Sequence, residues 1–192
     1  MYTPVKASTF FEVMGDVYVP KRWYLGNPVD TEGNILYRWF FSVGIPLDVN
    51  EPIIIPVTQP GQPLDYTECG VAYPVLHLRV VDILNRLGVK DVQYFPVTVE
   101  GHPPDYVIMN VTRLIPCVDE ARCSRLVRWT EADGFPDKVG DFKVVEGLRI
   151  DPTKVGDARI FRPKGWPMLI IASDIKDAFD REKVTGPKYF EV

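Results

Sequence analysis

Signals of catalysis are scarce in this sequence. It has no phosphate-cradling glycine loop of either nucleotide-binding pattern and no G-x-S-x-G turn. Histidine is nearly missing: His77 precedes a helical stretch and His102 lies in the loop GHPPD. A lone histidine in such a place most often serves a turn or a cap, which argues against a Cys-His or Ser-His dyad. Cysteine is also sparse, at three. Cys117 and Cys123 stand six apart, outside the close C-x-x-C spacing of a zinc site, and are expected as inert thiols. An odd, small number of cysteines fits a reducing compartment. No apolar run reaches the roughly 20 residues of a membrane span. The start, MYTPVKASTFFEV, lacks the basic and apolar parts of a signal peptide, so cytoplasmic residence is expected. With a net charge of −4, the composition gives no reason to expect a nucleic-acid or membrane-surface partner.

Hydrophobic residues make up 46% of the 192 and charged residues 25%, enough for one sizeable core. A single domain over 1–192 is therefore expected. Proline is abundant, at 18, and clusters before residue 75 and around 96–116. That distribution predicts many turns and edge strands and few long helices.

The chain is best organised around 75–97. Val80, Leu84 and Leu87 fall at helical spacing, widened by Val81 and Ile83, and Gly88 follows as a left-handed cap. Val92, Tyr94, Phe95 and Val97 then form an aromatic and β-branched strand. Sliding by 95 residues lays His77–Val97 on Ala172–Val192 without gaps. Six of the 21 positions are identical: Asp82/Asp177, Arg86/Arg181, Val89/Val184, Tyr94/Tyr189, Phe95/Phe190 and Val97/Val192. Two helix–strand units within one fold are expected.

Residues 1–70 are β-rich and loop-rich. Thr9–Val19 gives a first strand or pair, and Ile35–Val43 is an aromatic run closed by Gly44. Ile53–Val57 carries Pro56 and belongs at an edge or bulge. Tyr106–Ile115 is apolar on both faces, predicting a strand covered on both sides and paired with 92–99. A short helix is expected near Glu120–Trp129, and strands over Lys143–Ile150 and Ala158–Phe161. Ser173 is expected to cap the second helix, with Asp174 in its first turn. Strands outnumber helices without regular alternation. The class is α+β, with a mixed, mostly antiparallel sheet.

Asp119, Glu120, Glu131, Asp133, Asp137 and Asp141 crowd one segment. Its simplest role is a solvated loop. Trp129 and Phe135 make a sharper one available: a docking surface that joins charge steering to aromatic anchors. Calcium-loop spacing is absent. No catalytic residue, metal or cofactor is expected.

Five stretches together carry a family resemblance: RWYLGNP (22–28), the run 74–101, YVIMNVTRLIPCVDEARC (106–123), the run 128–152 and IFRPKGWPMLIIASDIKDAF (160–179). They resemble the eleventh immunity family of bacterial polymorphic toxin systems, a former domain of unknown function with a myxobacterial founding member. His77 departs from the serine that often opens the first helix there. The resemblance implies a non-enzymatic protein that binds and blocks a cognate toxin domain. Two alternatives stand beside it: a small carboxylate-dependent hydrolase or transferase, and a structural or adaptor domain. Oligomeric state is left open.

Overall fold

The computed structural model describes residues 9–36, 40–70 and 72–192. The strands run in chain order as β1 (Phe10–Gly15), β2 (Tyr24–Leu25), β3 (Ile53–Ile55), β4 (Val57–Gln59), β5 (Tyr66–Cys69) and β6 (Tyr73–His77). Helix α1 (Leu78–Arg86) leads to β7 (Val92–Val99), β8 (Tyr106–Val111), β9 (Leu114–Ile115), β10 (Arg125–Arg128) and β11 (Phe142–Glu146). The chain ends with β12 (Ile160–Pro163), β13 (Leu169–Ala172), α2 (Ser173–Arg181) and β14 (Pro187–Glu191). The class is α+β, as its strand-heavy pattern implied.

Two five-stranded sheets dominate, in the orders β14-β1-β13-β12-β9 and β3-β7-β8-β6-β5. In each, a strand, a helix and a second strand straddle an antiparallel middle strand. The first sheet does this with β13, α2 and β14 around β1; the second does it with β6, α1 and β7 around β8. Both helices pack into one core between the sheets, where Val80, Leu84, Ile175 and Phe179 meet Val13, Leu76, Met109 and Ile171.

Local chemistry explains the helix ends. The His77 Nδ1 accepts the Arg79 N–H at 3.1 Å, so the residue that departs from the family's serine still caps α1. At the other end Val89 N–H reaches the Leu84 carbonyl and Gly88 N–H the Asn85 carbonyl, with Gly88 at φ +66°. That is a Schellman closure. α2 closes the same way through Val184 to Phe179 and Lys183 to Asp180. Its N-terminus departs from expectation by one residue: Ala172 occupies the cap position and Ser173 is already helical. The Ser173 N–H is taken by the Thr9 carbonyl, and the Asp174 Oδ1 accepts the Ile175 N–H, the donor that a serine cap would have served.

β8 is buried at all six positions. Val107, Met109 and Val111 face the helices; Tyr106 and Ile108 face a second core with Trp23, Phe41 and Leu64. The strand ends at Val111, short of the expected Ile115. Thr112 N–H bonds the Asp91 carbonyl, and the chain crosses to the first sheet as β9, parallel to β12. Pro56 breaks the Ile53–Val57 run into β3 and β4, and β3 is an edge strand, as proline requires. Of the aromatic run 35–43, positions 37–39, including Trp39, lie outside the described residues; Phe40–Ser42 is a short 3-10 helix.

No helix forms at Glu120–Trp129. Residues 125–128 are β10, paired antiparallel with β11. Leu126 and Val127 face Val145 and Val144 across the hairpin, and this apolar cross-strand pairing outweighs the local helical look of the charges. The expected strand over Lys143–Ile150 is shorter for a related reason. It stops at Glu146, and Ile150 makes an isolated bridge to Val118.

Candidate functional site

The loop joining β10 to β11 is built from two 3-10 turns, Glu131–Asp133 and Pro136–Lys138. Asp133 organises the first. Its Oδ2 accepts the Thr130 N–H and hydroxyl, each at 2.9 Å, and its Oδ1 pairs with Lys143 on β11. These bonds, led by Lys143, hold the Asp133 carboxyl down at about 2. At the base, the Trp129 N–H bonds the Asp141 carbonyl and the Gly140 N–H bonds the Trp129 carbonyl.

The aromatic residues form one stack. Trp129 meets Phe135 edge-on, with ring centroids 5.2 Å apart. Lys143 and Lys138 lie 4.9 and 5.1 Å from the Trp129 ring centre. Below, Arg128 covers the buried Phe142 at 4.2 Å and pairs with Glu120 at 2.5 Å. Asp119 pairs with Arg122 at 2.6 Å.

The loop faces the turn Pro163–Trp166. The Trp166 N–H bonds the Pro163 carbonyl, and the Phe142 N–H bonds the Gly165 carbonyl, which ties hairpin to turn. Gly165 sits at φ +79°, and a side chain there would come within 2.9 Å of Asp141. Between loop and turn lies a cleft of about 500 Å³, floored by Leu114, Ser42 and Val43. Trp129, Phe142, Trp166 and Pro167 give it apolar walls; Asp137, Asp141, Lys138, Lys143 and Lys164 give it charge. Val43, Leu114, Phe135 and Val139 remain exposed in or beside it, a cluster of apolar surface of the kind that marks binding sites.

The eight residues singled out in the sequence therefore separate. Trp129, Asp137 and Asp141 line the cleft. Phe135 and Asp133 stand just behind, through Trp129 and Lys143. Asp119 and Glu120 are tied to Arg122 and Arg128 on the flank, and Glu131 is exposed on the first turn. Trp166, Lys143, Lys164, Leu114 and Val43 belong to the cleft and were not named as binding residues. The Gly165-Trp166-Pro167 turn was their one visible signal. Cys69 and Cys117 are buried, and burial pushes both thiols up, Cys117 to about 11.

Among the described residues no three His, Cys, Asp or Glu side chains gather as a metal site. No helix among them is long and apolar enough to cross a membrane.

The comparisons identify the class as an immunity protein. The model of the immunity protein family Imm11 matches residues 35–192. The chain belongs to that family. No curated protein matches it.

Proposed function

We propose that this protein binds the toxin domain of its own polymorphic toxin system in the cytoplasm and neutralises it by protein–protein contact, without catalysis. Membership of an immunity protein family is the observation that carries this reading. The docking surface we assign is the cleft and the loop beside it. Trp129, Phe135 and Trp166 supply the rigid aromatic area that concentrates binding energy at interfaces. Asp137 and Asp141 sit in the cleft, and Glu131 beside it, without an ion pair among the described residues. Lys138, Lys143 and Lys164 line the same cleft, so these carboxylates offer a toxin charge of both signs in a fixed pattern, which favours a matched partner over a mismatched one. Asp119, Glu120 and Asp133 contribute through the loop's shape, since their charges are already met by Arg122, Arg128 and Lys143.

The carboxylate-enzyme alternative gains nothing from the cleft. The carboxyl groups raised by burial, Glu12 and Glu68, do not line it. The test is co-expression with the cognate toxin domain. The wild-type protein should restore growth and should form a 1:1 complex with the toxin domain that survives size exclusion. Rescue without any complex would overturn neutralisation by contact.

A further inference from the structure

Arg162 is buried to 1% exposure, yet its guanidinium is not spent on a carboxylate. Nη1 donates to the Pro167 carbonyl and Nη2 to the Phe41 carbonyl at 3.5 Å, while Nε has no partner. A buried cation met mainly by main-chain oxygens is an expensive way to fill a core. Its two bonds go to informative places. Pro167 ends the turn that forms one wall of the cleft, and Phe41 precedes Ser42 and Val43 in its floor. The backbone of Arg162 adds a third tie, because its N–H bonds the Arg113 carbonyl beside Leu114, the other floor residue.

We infer that Arg162 is a positioning residue: a clasp beneath the cleft that fixes the Trp166–Pro167 wall against the Phe41–Val43 floor and so sets the shape a partner meets. Its role in partner binding rests on the docking reading above; its role in holding the cleft does not. Two features of arginine suit it to the task. The planar fork directs a separate N–H to each carbonyl in a fixed geometry, where a lysine offers one compact ammonium on a flexible stem. It also keeps its charge when buried: desolvation lowers the group to about 10, opposed by Tyr66, Glu68 and Tyr73, so it is still protonated at neutral pH.

The experiment uses the full chain labelled with 5-fluorotryptophan, the Trp129 and Trp166 resonances being assigned through W129F and W166F. Thermal stability, fluorine spectra and affinity for the toxin domain that this chain neutralises in co-expression are measured for R162M and R162K. Removing the guanidinium leaves the Pro167 and Phe41 carbonyls without that donor and Glu68 without one of its nearby cations, which is destabilising. R162M is therefore expected to lower Tm while staying folded at 25 °C, where the Trp166 resonance moves and the affinity of the folded protein for toxin falls about tenfold, roughly 1.4 kcal/mol. R162K, able to reach one carbonyl, should restore part of both. An unmoved Trp166 resonance in a folded R162M overturns the clasp. If R162M does not fold, R162K decides: a moved Trp166 resonance supports the clasp and an unmoved one overturns it. A moved resonance with undiminished toxin affinity upholds the clasp and refutes docking at the cleft.

Discussion

Arg22 and Trp23 open the RWYLGNP motif and are both buried. Arg22 donates to the Asp16 carbonyl at 2.6 Å and to the Thr67 hydroxyl at 2.7 Å, and Trp23 packs edge-on to His102. The motif thus fastens the N-terminal segment onto β5. Its residue types were legible, but their direction was not, because an arginine is ordinarily expected outside. Two carboxylates show how position alone sets sign. Burial would raise Asp65, but the Thr185 N–H and hydroxyl and the Arg79 guanidinium outweigh it and lower the group overall. A lowered group stabilises the fold above its unfolded value, about 3.9, and loses that contribution as pH falls through its folded value. Burial raises Glu68, with Tyr66, Arg22 and Arg162 around it. Its contribution is full below about 4.3 and lost as pH rises through the folded value. E68Q is therefore expected to raise Tm at pH 7, with the gain vanishing below pH 4. D65N is expected to lower Tm at pH 7 and to flatten the acid limb. Melting curves from pH 3 to 8 check both signs.

The helix–strand units were the most legible elements. α1 and α2 begin 95 residues apart, as do β7 and β14, matching the ungapped alignment. Periodicity carried that far because both helices bury one stripe against a shared core. The 125–146 region was hidden for the opposite reason. Its hairpin pairs only with itself, so short apolar pairs such as Leu126 and Val145 decide it, and charge density masks them. The cap comparison yields a sharper expectation. Gly88 and Lys183 stand 95 apart and both take positive φ, +66° and +54°, in the same closure. Only glycine does so without steric strain. K183G should therefore stabilise the protein by about 0.5–1 kcal/mol, and G88A should destabilise it by about the same. Urea unfolding of both variants checks the pair. A destabilising K183G would mean that the Lys183 side chain matters more than its backbone.

Across the whole molecule, the sequence conveyed class and family but little of the site. The acidic segment was visible as composition. Its fate was not, because Arg128 and Lys143, which claim Glu120 and Asp133, are placed by the hairpin fold; Arg122 meets Asp119 locally, three residues away. The cleft is a product of distant pieces: Val43, Leu114, the 129–143 loop and the 163–167 turn meet only in three dimensions. A single variant set separates a docking surface from a solvated loop. W129A/D137K/D141K removes the stacked tryptophan and reverses both cleft carboxylates, and leaves Asp133 to hold the loop. The deciding measurement is the affinity of this variant, against wild type, for the toxin domain that the chain neutralises in co-expression, by calorimetry at two salt concentrations. A tryptophan anchor alone is worth about 2 kcal/mol or more. The account predicts that wild type binds tightly and that the folded variant loses at least about a hundredfold, roughly 2.7 kcal/mol, with a weaker salt dependence. Equal affinity and equal salt dependence in a folded variant would contradict it.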